Sequence, residues 1–522
     1  MNDKSRVLVT IALMFAIAIS AMDATIVSTA APTIVGNLGG LSLFSWVFSV
    51  YLLASTVTVP LYGKLADLYG RKPVLLSGCA VFLLGSVLCG VAQNMEQLIV
   101  FRAVQGIGAG AVQPITMTVI GDIFTIEERA RIQGLFSSVW GVTSLAGPAI
   151  GGLLTQGLSW RWVFYINLPI GLIAMFLIWR FFKERSERRE HVLDYLGTVL
   201  LSGGAVSVLL GLLHGVDTYG WLAPETLALF GLGAVLIGAF IVQEGRAVEP
   251  VLPLWLFRNK VIAVACVATF MGGGLMFGVS SYIPLFAQGV LGGDAFDAGL
   301  MVLPMSFSWP IASIIGGRVI LRVGYYASAI IGSVFLILGS SILLLMDQNS
   351  SVLVPATAAF VIGFGMGFTT SAMIISVQNA VEWRFRGVAT ASTQFFRTIG
   401  GAIAVAIMGA ILNSQLSTRF AAVSGVPQGS NEATLLNVEE RESLPAEVLS
   451  GMQEALAASL HEIYFFVVAI AVAMFGVVLF FPRGRAQDLA VSDAGATGAR
   501  APAAPDDSAP VRPPAPIPGE GS

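Results

Sequence analysis

The chain is poor in charge. Asp, Glu, Lys and Arg make up 11% of its 522 residues, against 56% hydrophobic residues. A soluble domain carries about 25% charged residues, so an ordinary globular class is excluded. Cysteine is scarce too. Cys79, Cys89 and Cys266 each lie inside an apolar stretch and read as small buried hydrophobes, with no disulfide or metal role. His191, His214 and His461 have no partner at metal-ligand spacing, so no metal is expected. The G-x-x-x-x-G-K-[ST] loop of ATP hydrolysis is missing, and no cofactor is expected. Paired catalytic carboxylates and a nucleophile elbow are also missing, which argues against an enzyme. The net charge of −3 says little, because the sign distribution across the loops matters more than the sum, and no nucleic-acid partner is expected. Short segments of alternating polarity, the mark of a membrane barrel, do not occur.

What is present is hydrophobic length. Apolar blocks of about 20 residues, the length that spans a bilayer, run at 7–31, 43–62, 74–93, 97–120, 132–156, 162–182, 193–214, 224–243, 260–288, 297–320, 324–346, 352–378, 387–412 and 461–481. The fold class expected is an all-α polytopic membrane protein with fourteen spans. The first block has a rival reading as a cleaved signal peptide; its length and the internal Asp23 favour a retained helix. With the N-terminus in the cytoplasm, most of the 28 Lys and Arg residues fall in inward links. The positive-inside rule therefore supports fourteen spans with both termini cytoplasmic. Residues 414–459 read as a polar outward loop, with a short amphipathic helix from Pro445 to Leu460. Residues 483–522, rich in Ala, Pro, Gly and Asp, read as a disordered cytoplasmic tail. Trp46, Trp160, Trp162, Trp221 and Trp255 lie at span ends and fit interfacial anchors.

The sequence repeats itself. Gly106, Gly108 and Gly110 match Gly363, Gly365 and Gly367 at an offset that also carries Arg129 onto Arg386. A weaker echo pairs residues 63–73 with 316–326. The organisation expected is a six-helix half at 1–190, two inserted helices at 191–250 and a second half at 251–482. Repeated halves around a midplane site are the architecture of secondary transporters.

Four stretches carry the chemistry. The segment after the second block reads Gly63-Lys64-Leu65-Ala66-Asp67-Leu68-Tyr69-Gly70-Arg71-Lys72-Pro73. The fourth block holds Arg102, Gln105, Gly106, Gly108, Ala109 and Gly110. The fifth holds Gly141, Gly147, Pro148, Gly151 and Gly152. The first reads Met22-Asp23-Ala24-Thr25-Ile26-Val27. An aspartate in a tight link suits a helix N-terminus, whose free N–H groups favour negative charge. The start of the thirteenth block, near Gly387, faces the same side as Asp67, and Asp122 is a plausible partner for Arg71. Such contacts would latch two halves together; the bland alternative is a set of topological anchors. Asp23 and Arg102 sit at similar depth, roughly 8–12 Å below the outer surface. Burial raises a carboxylate's proton affinity and a nearby guanidinium lowers it, so moving Arg102 would load or unload Asp23. Against this stands a static ion pair; ionisable groups inside spans are functional by default. Pro148 with its glycines gives a bendable, close-packing helix. Arg397 lies near mid-membrane, and Gln105, Met276, Phe277, Met301 and Met305 are further candidates for a cavity.

These motifs resemble those of the major facilitator superfamily, and with fourteen spans the chain is similar to its drug:proton antiporter family. The resemblance covers about 7–481. It implies export of small amphipathic or lipophilic compounds, multidrug efflux driven by the proton motive force, from the cell membrane. It also implies that the fifth-block motif goes with antiport, and that the working unit is a monomer whose partners are substrate, protons and lipid. Leu68 replaces a usual basic residue. The tenth block lacks the acidic residue that some relatives use for cationic drugs; Asp294 and Asp297 lie only at its edge. A facilitator or importer without proton exchange is the alternative.

Overall fold

The computed structural model describes residues 3–38, 43–184, 194–215, 220–247, 249–293, 295–424, 435–436, 441 and 443–483. Among them the long helices are α1 (Asp3–Leu38), α2 (Phe44–Tyr69), α3 (Arg71–Val91), α4 (Met95–Ile123), α5 (Ile126–Gly157) and α6 (Trp162–Phe181). They continue as α7 (Tyr195–Leu210), α8 (Pro224–Glu244), α9 (Lys260–Val290, its last turn a π-helix), α10 (Ala295–Val323), α11 (Tyr325–Leu343), α12 (Leu353–Asn379), α13 (Arg386–Ala422) and α14 (Ala446–Val478). Twelve helices of the described residues are long and apolar enough to cross a membrane. The fourteen expected from the sequence exceed these by α5 and by α7, the latter a shorter apolar helix. Residues 484–522 of the proposed tail at 483–522, the centre of the proposed outer loop at 425–434 and the link with His191 lie outside the described residues.

Helix starts follow from local chemistry. The Asn94 side chain accepts from Gln97 N at 2.8 Å, and Asp194 accepts from Gly197 N at 2.8 Å. Both satisfy N–H groups that a helix leaves free. Thr125 and Glu128 form a reciprocal capping box. That box starts α5 ahead of the fifth apolar block at 132–156, so the charged residues before that block are the first turns of the helix. One correction concerns the outer loop. Residues 446–459 belong to α14 and 414–422 to α13, because the sequence contains no break to separate them from the spans. At ~1.5 Å per residue, these two helices project well beyond a bilayer core. Trp160 is also corrected: it is 1% exposed and packed in the core against Phe164, so it is not an interfacial anchor.

The internal repeat is geometric. A Cβ on Gly106 would meet Tyr51 and Ala54 of α2; on Gly363 it would meet Met305 and Ser308 of α10. Gly108 faces Gly78 and Phe82 of α3, and Gly365 faces Gly332 and Leu336 of α11. These matches put α2 and α3 onto α10 and α11 one residue away from the register read in the sequence. Gly317 therefore corresponds to Gly63, and Gly324 to Gly70. Gly70 (φ 97°) and Gly324 (φ 92°) both take positive φ where one helix turns directly into the next. The halves meet where α2 packs on α13 and α5 on α10. α7 and α8 pack on each other, and α7 leans on α2.

Candidate functional site

Two polar constellations stand out in an otherwise apolar interior. The first lies in the first half, near the end of the bundle where α3 joins α4. Arg102 is seven residues into α4, about 10 Å below that end. Its Nη1 donates to Asp23 Oδ2 at 2.5 Å and to Gln105 Oε1 at 2.8 Å. Its Nε donates to the Val47 carbonyl at 3.2 Å, and its guanidinium lies 4.1 Å from the Tyr51 ring centroid. Gln105 Nε2 donates to Asp23 Oδ1 and to Ser86 Oγ, both at 2.8 Å. Asn167 Nδ2 of α6 reaches Ser86 Oγ at 3.1 Å and Asp23 Oδ1 at 3.4 Å. Asp23 is 0% exposed and Arg102 1%. An ion pair so buried depends on hydrogen bonds to its remaining lone pairs and protons, and this network, drawn from five helices, supplies them to both carboxylate oxygens and to Nε and Nη1 of Arg102.

Sequence reasoning brought Asp23 and Arg102 together but missed Ser86, Asn167 and Tyr51. A serine, an asparagine and a tyrosine in apolar helices carry no signal until the fold shows what they face. Gln105, a cavity candidate from the sequence, is fully buried within this network.

The second constellation lies at the opposite end, where the α2–α3 link meets the second half. Asp67 accepts from Gly387 N at 2.9 Å and from Val388 N at 2.8 Å, the free N–H groups that open α13. It also accepts from Arg71 Nη2 at 2.8 Å. Arg71 Nη2 donates to the Trp383 carbonyl at 2.7 Å, with the guanidinium 3.9 Å from that residue's ring centroid. Arg71 Nε stands 3.1 Å from Asp122 Oδ2, an ion pair without hydrogen-bond alignment. Arg386 reaches the other oxygen of Asp122 at 3.4 Å. Reciprocally, Arg129 Nη1 donates to Asn379 Oδ1 at 2.7 Å, and Gln378 Nε2 donates to the Met117 carbonyl at 2.9 Å. Gly63 lets α2 lie against α13: a Cβ there would stand 2.5 Å from the Ala391 Cβ. Glu184 caps α3 by accepting from Arg71 N and Lys72 N at 2.6 and 2.9 Å. Every inter-half hydrogen bond named here lies at this end.

Among the α5 residues, a Cβ on Gly141 would stand 3.0 Å from Ser306 of α10, and one on Gly147 would run into Thr25 of α1. Gly152 faces open space. Gly151 is buried, and the side chain of Pro148 lies outside the described residues. Of the remaining cavity candidates, Met301 and Met305 are 1% and 7% exposed, inside the packed core. Met276 is half-buried against that core and Phe277 packs on Gly401. The methionines that do line a cavity are Met366, Met373 and Met474, together with Arg397.

Known proteins resemble this chain. The chain is 41% identical to the multidrug transporter protein MdtP of Bacillus subtilis (strain 168), over 79% of this chain and 76% of that one. It is 35% identical to multidrug resistance protein 3 of the same organism, over 92% and 96%. It is 32% identical to the efflux pump dotC of Dothistroma septosporum (strain NZE10 / CBS 128990), over 78% and 72%. The solved structure of the proton:xylose symporter XylE superposes with a TM-score of 0.61 at 13% identity, covering 93% of this chain and 98% of that one, which shows the fold. The family model of the Major Facilitator Superfamily matches residues 13–405. The chain belongs to the major facilitator superfamily of membrane transporters.

Proposed function

We propose that this protein is a proton-coupled antiporter that exports small amphipathic or lipophilic compounds by alternating access. The reading takes α5 and α7 as spans too, giving fourteen, with both termini cytoplasmic, a monomer as the working unit and the cell membrane as its location. The observation that carries it is the Asp23–Arg102 pair: one carboxylate, wholly buried, shared among a guanidinium and two amides. The names of the relatives support the cargo class.

In this reading the Asp67 end is cytoplasmic and the structure faces outward. A proton reaching Asp23 from outside cancels the charge that holds Arg102. The guanidinium keeps the Val47 carbonyl and the Tyr51 face, so it can move without becoming unpartnered. That local change alters how α1 and α4 pack, and the two halves rock. The Asp67 carboxylate then leaves the α13 N-terminus, the cytoplasmic side opens, and Arg102 displaces the proton inward. A proton gradient of ~150 mV supplies ~3.5 kcal/mol per proton, enough for a substrate ratio of a few hundred.

The test is proton movement in proteoliposomes. With a pH gradient imposed, lumenal pH is read on adding a panel of lipophilic cations, anions and neutral compounds, for wild type and Asp23→Asn. Substrate-induced proton flux lost in the mutant is the expected outcome. Flux that survives would move the proton site elsewhere, and gradient-independent transport without flux would replace antiport by facilitation.

A further inference from the structure

Arg397 is the guanidinium that the two constellations leave unused. It lies eleven residues into α13, about 17 Å from its start, and so near the middle of a bilayer core of about 30 Å. It lines a small cleft of about 20 Å³ between α9, α12, α13 and α14. Thr369, Thr370, Thr393 and Gln394 share the wall, and Met366, Met373 and Met474 close it. No described residue gives Arg397 a hydrogen bond or an ion pair. Its nitrogens are not sealed in the core either, for they are not among the buried unpartnered atoms. No Asp or Glu occurs anywhere in α9, α12 or α13, or in residues 463–478 of α14.

The pseudo-repeat shows which position beside the cavity lacks an acid, although by the 257-residue offset Arg102 falls on Ala359 and Arg397 on Trp140, so the two arginines are not counterparts. Gly147 of α5 packs on Thr25 of α1, and its counterpart Ala404 of α13 packs on Gly274 of α9. Thr25 therefore corresponds to Gly274, and Asp23 to Gly272. In one half a carboxylate neutralises a membrane arginine. In the other, a glycine stands at that position, lines the cavity, and has only the end of Met474 within 4 Å of where a Cβ would be. A cation in the membrane interior is costly unless an anion or polar groups answer it.

We propose that this cavity binds the carboxylate head of an amphipathic organic anion, with Arg397 as its ion-pairing residue. The threonine hydroxyls and Gln394 complete the head-group site, and the methionines, adaptable in shape, move aside to admit the apolar body. The substrate supplies to Arg397 the charge that Asp23 supplies to Arg102. This names the cargo class of the export reading and rests on it only for transport; binding stands by itself.

The experiment is calorimetric binding to purified full-length protein in detergent, using three probes of one shape: 2-naphthylacetate, neutral 2-naphthylacetamide and 2-naphthylethylammonium. Wild type is expected to prefer the carboxylate over the amide by about tenfold or more, the worth of a charge-assisted bond. Arg397→Gln brings that preference close to unity, Arg397→Lys retains part of it, and Gly272→Asp, which restores the missing acid, abolishes carboxylate binding. Equal affinity for acid and amide, preference for the ammonium, or a preference untouched by Arg397→Gln overturns the proposal. Displacement of the naphthylacetate by equimolar chloride overturns it as well, by assigning the site to a free inorganic anion. Naphthylacetate bound with the expected preference but not moved in proteoliposomes strikes the export reading and leaves the binding site standing.

Discussion

Removing the Asp67 carboxylate shifts the balance between the two conformations. Asp67 accepts two backbone N–H bonds from α13 at 2.8–2.9 Å and bridges to Arg71 of its own half. The contact to Arg71 lies within one half and survives rocking, so only the two α13 bonds and the favourable helix dipole discriminate between conformations. Bonds to a charged group contribute about 1.5–3 kcal/mol each. Asp67→Ala therefore costs the closed cytoplasmic end about 3 kcal/mol, a factor of about 150 in the conformational ratio. A minor conformer populated at about 0.1% rises to roughly 13%; one at about 10% becomes dominant. Asp67→Asn keeps one carbonyl acceptor and is expected to give about half the free-energy change, a factor of about ten. The assay is the distance distribution between spin labels on two cysteines introduced at the cytoplasmic ends of α2 and α13. The native cysteines are buried. Distributions identical in wild type and Asp67→Ala, with both proteins folded, would refute the latch and leave Asp67 a static helix cap.

Four further outcomes follow from the coordinates. Arg102→Ala leaves Asp23 buried without its cation and is expected to lower stability by about 3–5 kcal/mol; adding Asp23→Asn recovers part of it, read by thermal unfolding as a double-mutant cycle. Gly70→Ala forces a side chain into a left-handed turn (φ 97°), at about 1–2 kcal/mol, and lowers the melting temperature, whereas Gly152→Ala, facing open space, leaves it unchanged. Within α5, Gly147→Val slows transport, since its side chain would meet Thr25, and substrate uptake into inverted vesicles measures this. Glu128, outside the apolar run of α5, has its carboxyl held below the usual range by the Thr125 backbone N–H first and by Arg6. Its stabilisation is thus complete above about pH 4.3 and fades as pH falls through its lowered value; Glu128→Gln flattens that acid limb in unfolding scans.

The limits of sequence reading are visible in particular residues. Block length made the helices legible, and the glycine repeat made the matching of α2–α4 with α10–α12 legible. The link register was misread by one residue because GKLADLYGRKP and GGRVILRVGYY share little beyond glycine. The positive φ of Gly70 and Gly324 decided it. The outer loop was misread because polarity was taken to end helices, yet a helix leaving the bilayer turns polar without breaking; residues 446–459 simply continue α14. Met301 and Met305 were misplaced because helical spacing does not say which face meets a neighbour and which meets a cavity.

The sequence by itself determined the class of molecule, its span-length helices, the repeat and the charged residues that are costly to bury in a membrane. These follow from solvation, which acts residue by residue along the chain. The tertiary structure decided which partners those residues have. It gave Asp23 to Arg102, Gln105 and Asn167, set Asp67 on the first N–H groups of α13, and left Arg397 facing a cavity without an acid. Partnership depends on distances between helices remote in the chain, and only packing fixes those.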